Sequence, residues 1–458
     1  MSINKRMIIN LTVGVLVLAV LGGVYFWATG WQPDKSGEQP LENDPILLFD
    51  VGSDDISQVL INNENAEFVI KRTDNEKSDW SLENYQGIEF SQTKIQNLIE
   101  NLSRISANRK IESDGKNAAD FGIELNKNAV TIRTVNGDES TFVLGGRPTQ
   151  DSDFYLMKIG DAGIYTVPAY KAEAILKTPN DLRENVLATI DTGSIQSLKI
   201  ERSGKNIMEI CYSKDADDGT YKASLYLMTY PYNEVVNKQS FETLVAAFAG
   251  VEAVQFVSDN PSDASKYGLN KGYRVQFDES GQKHTMIFGD TDEYGNVYAM
   301  YGDKQFIFTM APDIKKAITD INPFDYIIKF AHIYALDNVS SVTVNYKGKT
   351  YTLAVQRDTN DEKKTKYRIN DRSVNEKNFK KLYQSVIGLT FTDVLQNQAA
   401  GKEVCAISFD LLDGGTQTAR YYECDERNVI LKRHDGKKYI MLKKHLGEMI
   451  KTLEEEVK

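Results

Sequence analysis

Residues 91–105 read SQTKIQNLIENLSRI, with apolar side chains at Ile95, Leu98, Ile99, Leu102 and Ile105. Positions spaced i, i+3, i+4, i+7 and i+10 gather on one face of a helix of about 3.6 residues per turn. The same five-point stripe returns at Phe241, Leu244, Val245, Phe248 and Val251, and again at Phe379, Leu382, Tyr383, Val386 and Leu389. A pattern repeated every ~140 residues is the mark of a duplicated structural unit. Ser91 and Ser240 stand just before the first two stripes, where a hydroxyl can accept a backbone N–H as an N-cap.

Upstream of each stripe lie three alternating runs. The first holds Ile56, Val59 and Ile61; Ile195, Leu198 and Ile200; Val339, Val342 and Val344, at identical spacing. Two further strands follow in each copy, at 68–70 and 80–82, 207–210 and 225–227, and 351–355 and 367–369. Apolar-polar alternation predicts half-buried antiparallel strands. Downstream come two hairpins. The first turns at Asn136-Gly137, Ser280-Gly281 and Asp413-Gly414-Gly415, the second at Gly160-Asp161, Gly302-Asp303 and Asp435-Gly436. Short closing helices are expected near 169–176, 313–318 and 444–453. Each copy therefore reads β-β-β-α-β-β-β-β-α, an α+β module with an antiparallel sheet covered by a helix on one face. The expected boundaries are 49–188 for module 1, 189–330 for module 2 and 331–458 for module 3.

Ahead of the modules, residues 7–27 read MIINLTVGVLVLAVLGGVYFW without a charge. Such a run is long enough for a hydrocarbon core of about 30 Å. Lys5 and Arg6 precede it and Asp34, Glu38, Glu42 and Asp44 follow, so the positive-inside rule leaves the bulk outside the cytoplasm. The expected layout is a cytoplasmic tail at 1–6, an N-terminal transmembrane anchor at 7–29 and a linker at 30–48. A removed signal peptide is the competing reading; a cut after Ala28 would place bulky Phe26 at a specificity position. The 458-residue chain carries 54 Lys and Arg against 65 Asp and Glu, a net charge of −11, which gives no field for holding nucleic acid. Three cysteines, Cys211, Cys405 and Cys424, form no disulfide framework and no CxxC pair. Cys405 and Cys424 flank a hairpin and could pair across it, although buried free thiols are the simpler reading.

Copies one and two share further landmarks. Each has an aromatic-Gly-aliphatic turn, Phe121-Gly122-Ile123 and Tyr267-Gly268-Leu269. Each has a hairpin strand ending in glycine, Leu144-Gly145-Gly146 and Phe288-Gly289-Asp290. Then come Phe154-Tyr155-Leu156-Met157 and Val297-Tyr298-Ala299-Met300, and the first copy adds Asp181-Leu182-Arg183. Over most of residues 50–330 the chain resembles domain-of-unknown-function family 4340, membrane-anchored bacterial proteins encoded near gliding-motility-type ABC transporters. The third copy lacks the aromatic-Gly turn and has Tyr422-Glu423-Cys424 where a glycine is expected, so it reads as a diverged terminal cap. The resemblance implies an ABC transporter permease as partner and brings no catalytic residue.

The residues offer little chemistry. Gly348-Lys349-Thr350 lacks the upstream glycine of a phosphate loop and falls in a strand turn. His284, His332, His434 and His445 are scattered without metal-ligand spacing. The acidic loops 215–219 and 290–295 do not match a calcium loop, with Tyr294 where an oxygen ligand belongs. Residues 358–366 read as a charged loop, and Trp80 as core. No catalytic, cofactor-binding or metal residue is assigned. The expectation is a non-enzymatic, single-pass extracytoplasmic scaffold or accessory subunit of an ABC transporter, bound through surfaces. The alternative is an extracytoplasmic receptor holding a peptide or glycan in a cleft between modules.

Overall fold

A computed structural model describes residues 45–457 apart from 74–78, 86, 113–116, 150–151, 215–223, 359–364 and 396–400. Strands hold 44% of the described residues and helices 24%, arranged in five sheets. The α+β expectation is corrected to a mostly β fold. The expected N-terminal transmembrane helix is not part of it: residues 7–29 lie outside the described residues, and among those described no helix is long and apolar enough to cross a membrane.

The helices are α1 (Gln92–Ser103), α2 (Ala169–Ile175), α3 (Pro179–Leu182), α4 (Lys238–Ala246), α5 (Asp313–Thr319), α6 (Glu376–Ile387) and α7 (Lys443–Val457). The physical reason for the correction lies at the ends of α1, α4 and α6. The fifth stripe residue is past the helix in every case. Ile105 sits on the strand Arg104–Ala107 and Val251 on Gly250–Glu252, each paired with a strand that precedes its copy, Ile46–Asp50 and Val186–Thr189. Leu389 follows α6, and its carbonyl accepts the Ala331 N–H at 2.7 Å. Caps also differ from expectation. Ser240 lies inside α4, whose cap is Asn237, accepting the Ser240 N–H; Asn375 caps α6 on Asn378, and the Ser91 hydroxyl makes no cap bond.

Two compact units partition the chain, one ending at Leu182 and the other starting at Arg183. In the first, an eight-stranded antiparallel sheet runs in the order Trp80–Leu82, Glu67–Arg72, Ile56–Asn62, Ala129–Thr134, Glu139–Leu144, Phe154–Lys158, Ile164–Val167, Arg109–Glu112. The last strand in this order follows α1 in the chain and crosses to the far edge. Its sequence, RKIE, has one apolar residue and gives no alternating signal. Ile95, Leu98, Ile99 and Leu102 of α1 pack with Ile56, Val59, Ile61 and Trp80 in one core.

The second unit holds two nine-stranded sheets of matching order. One begins at Glu234–Val235 and ends at Gln255–Ser258, with Ile195–Arg202 and Tyr273–Glu279 central. The other begins at Arg372–Val374 and ends at Asp393–Leu395, with Val339–Tyr346 and Glu403–Leu411 central. One continuous core runs from Ile190 to Leu453 and includes Phe241, Phe288, Phe379 and Phe409.

The shared glycine landmarks have a steric cause. Gly122 and Gly268 end short helical turns at φ of 69° and 71°, a conformation that favours glycine. Each turn then lies against the glycine that ends the hairpin strand. A Cβ on Gly145 would stand 2.5 Å from the Phe121 carbonyl oxygen, and one on Gly289 would stand 2.1 Å from that of Tyr267. The Phe121 ring meets Tyr155 edge-on at 4.8 Å, and Tyr267 meets Tyr298 at 4.7 Å.

Candidate functional site

Glu234 opens the edge strand of one nine-stranded sheet, and Arg433 directly follows the strand Asn428–Lys432 of the other. Folding joins them although 199 residues separate them in the chain. Both Glu234 oxygens accept from the Arg433 guanidinium at 3.0 Å, and Oε1 also takes the Lys437 amine at 2.9 Å and the Tyr439 hydroxyl at 2.5 Å. Asp435 accepts from Arg433 at 2.6 and 3.1 Å and from the Lys437 backbone N–H at 3.1 Å. Lys437 also donates to the Asn233 carbonyl. Side-chain exposure is 4% for Glu234 and 9% for Arg433.

Burial works against the charge on Arg433, but the Asp435 hydrogen bond and the Glu234 charge outweigh it and raise its affinity for a proton. Burial likewise opposes ionisation of Asp435, and the Arg433 contacts reverse this and hold its carboxyl below the ordinary range. Burial pushes the Tyr439 hydroxyl up, so it stays a donor. Two carboxylates thus converge from different copies with every oxygen engaged by a cation, hydroxyl or N–H. Such a cluster ties a strand edge of one sheet to a strand end of the other through charge-assisted hydrogen bonds. Beside it opens a cleft of about 300 Å³ with an apolar wall of Leu227, Val235, Ile328 and Phe330.

A larger cavity, about 690 Å³, lies against α4 and is lined by Thr192, Tyr212, Tyr226, Phe241 and Glu242, among others. Its aromatic wall is preset: Tyr226 meets Tyr212 at 5.8 Å and Phe241 at 4.5 Å, and its hydroxyl donates to the Ile195 carbonyl at 2.8 Å.

The four histidines do not share one site, although His332 and His434 are near enough to interact. His284 is buried between the Tyr301 hydroxyl at 2.7 Å and Glu279 at 2.9 Å, stacked on Phe277. His332 is buried, 2.7 Å from the Tyr421 hydroxyl, and loss of hydration pushes its imidazole down to about 3. His434 is exposed beside the Tyr334 hydroxyl, and His445 lies half-buried on α7. Among the described residues no group of three or more His, Cys, Asp or Glu is placed to hold a metal ion.

Gly348 lies in the tight turn between Val339–Tyr346 and Lys349–Gln356, and Lys349 pairs with Glu454. In the 290–295 loop, Asp292 accepts the Tyr294 and Asn296 N–H groups, closing its own turn. The 215–219 loop and most of 358–366 lie outside the described residues. Trp80 is 5% exposed and hydrogen-bonded to Gln92 and Gln96 of α1. Cys405 and Cys424 are not joined in a disulfide, and burial raises the Cys405 thiol to about 12. Arg183 is 2% exposed, sandwiched between Phe256 and Phe306 and ion-paired with Asp259 at 2.6 Å.

A family model described as domain of unknown function (DUF4340) matches residues 80–272 and 227–405. Both matches begin on the third strand of a copy and end at the opening of the first hairpin of the next, so they stand one repeat apart. No curated protein and no solved structure matches the chain.

Proposed function

The chain belongs to the DUF4340 family, and on that premise we propose a non-enzymatic role as a membrane-held, extracytoplasmic scaffold or accessory subunit. The observation that carries this reading is the mutual saturation of the buried acids and histidines in the second unit. Glu234 and Asp435 are consumed by Arg433, Lys437 and Tyr439, His284 by Glu279 and Tyr301, and His332 by Tyr421. Groups committed to one another stabilise a shape, and a shape made of broad antiparallel sheets suits contact through surfaces. The uncharged run at 7–27 is the part that would hold the chain at a bilayer, with the bulk on the outer side. The partner class, an ABC transporter permease, comes from the family resemblance.

Fractionation with protease shaving tests this placement. The chain is expected to sediment with membranes, resist carbonate washing, and lose the segment after residue 45 to protease added outside the cytoplasmic membrane. Recovery in the soluble cytosol would overturn the reading. A second reading, an extracytoplasmic receptor, is favoured by the aromatic cavity beside α4. A thermal-shift series with envelope peptides separates the two, since a receptor gains stability with its ligand by mass action.

A further inference from the structure

Between α1 and α2 of the first copy lies a groove of about 350 Å³ with Leu98, Ala174 and Leu182 as its floor. Its walls are pinned from beneath. The buried Lys171 amine donates to the Asn101 and Arg104 carbonyls at 2.5 and 2.6 Å, and the Ser91 N–H donates to the Leu182 carbonyl at 2.9 Å.

The second copy has a groove of the same construction, about 500 Å³. In the stripe register, Ser240, Thr243 and Leu244 take the places of Lys94, Asn97 and Leu98. The short turn Pro323–Tyr326 takes the place of Pro179–Leu182; both have Pro first and Asp third. The Asn237 N–H donates to the Tyr326 carbonyl at 2.8 Å, as Ser91 does to Leu182. Most lining side chains differ between the two grooves. Each nonetheless has a leucine floor, one tyrosine (Tyr170 at the exposed rim, Tyr326 half-buried at the position of Leu182), one aspartate (Asp181, Asp325) and an amide or hydroxyl rim, while Lys94, Glu173 and Lys177 line the first alone.

Charge narrows the ligand. In the first groove Lys94 and Lys177 are matched by Glu173 and Asp181. In the second, Asp325 is paired with Lys329 at 2.9 Å. Neither groove offers a one-signed field for a polyanion or polycation. Tyr170 is 54% exposed and presents a flat apolar ring at the rim. Amide side chains both donate and accept, carboxylates accept in pairs, and an aromatic face takes the C–H face of a ring. That set is complementary to a pyranose. We propose that these two grooves bind neutral polyhydroxylated ligands, that is, short segments of uncharged glycan, one in each of the first two copies. This goes beyond the scaffold reading and does not depend on it.

The test is isothermal titration of the full chain in detergent with chitotetraose and with cellotetraose. Saturable binding of at least one is expected. Asn97 and Thr243 are exposed helix positions; Asn97→Arg with Thr243→Arg places a long cation in each groove and is expected to weaken binding about tenfold or more at an unchanged melting temperature. In the Thr243→Arg background, Tyr170→Ala is expected to abolish the remaining site and Tyr170→Phe to keep it. Absence of saturable binding for both oligosaccharides at millimolar concentration, or equal affinity in the double arginine variant, would overturn the proposal. Membrane fractionation reads the scaffold placement separately.

Discussion

At the scale of single residues, the second unit buries a carboxylate, Glu234, that holds Arg433, Lys437 and Tyr439. Removing one partner of a buried ion pair leaves the other charge unsolvated, which costs about 3–5 kcal/mol. Arg433 keeps Asp435 after such a change, so Glu234→Ala is expected to lose less than that in urea unfolding, and Glu234→Gln less again, because its amide oxygen still accepts from Arg433. No sequence signal could have joined Glu234 to Arg433, since the pairing is created by the packing of two sheets. His332 was legible only as a residue without ligand spacing; its burial against Tyr421 and Phe409 is a tertiary fact. With its folded-state value pushed from 6.5 down to about 3, the unfolded chain takes up a proton that the folded chain refuses. Stability then falls as pH drops through that window, by at most about 1.4 kcal/mol per pH unit. Unfolding midpoints at pH 7, 5.5 and 4.5 should converge between parent and His332→Asn. Parallel midpoints would show that another group sets the slope. Asp435, held below its ordinary range, acts in the same direction but at lower pH.

At the scale of elements, the aromatic-Gly turn and the strand-ending glycine form one packed joint. Gly289→Ala would force a methyl group to 2.1 Å from the Tyr267 carbonyl oxygen. Backbone must move, at a cost of about 1–3 kcal/mol, read as a lowered denaturation midpoint; Gly281→Ala gives a comparison, because nothing lies within 4 Å of its Cβ and its cost comes from φ of 100° alone. Strand cores and hairpin turns were legible because alternation and positive-φ glycines are local signals. Helix ends were not. Ile105, Val251 and Leu389 continue the helical period, yet they are recruited by neighbouring backbone that only the fold supplies. The short edge strands Arg109–Glu112 and Asp393–Leu395 were invisible for the same reason, since partner strands on the far side of each sheet define them. The two grooves were likewise hidden, being assembled from a helix, a closing helix and a turn that sequence reading handles one at a time.

At the scale of the whole molecule, the two units carry separate cores, and the second core is shared by two sheets. Calorimetry is expected to resolve two transitions. Leu98→Ala should lower one of them, while Phe241→Ala and Phe409→Ala, on different copies, should lower the other together, each by the 2–5 kcal/mol typical of a vacated core site. Three separately movable transitions would contradict a shared core. The repeat itself was open to sequence reading, because the stripe and the first-strand spacing survive in all three copies. The balance of strand to helix was not, because it depends on the edge strands just described. The most direct test of a scaffold bound through its surfaces is cross-linking of the full chain in intact membranes followed by mass spectrometry of the joined peptides. The expected result is reproducible links from surface residues after 45 to a transporter permease; reproducible links that include no transporter component would contradict it.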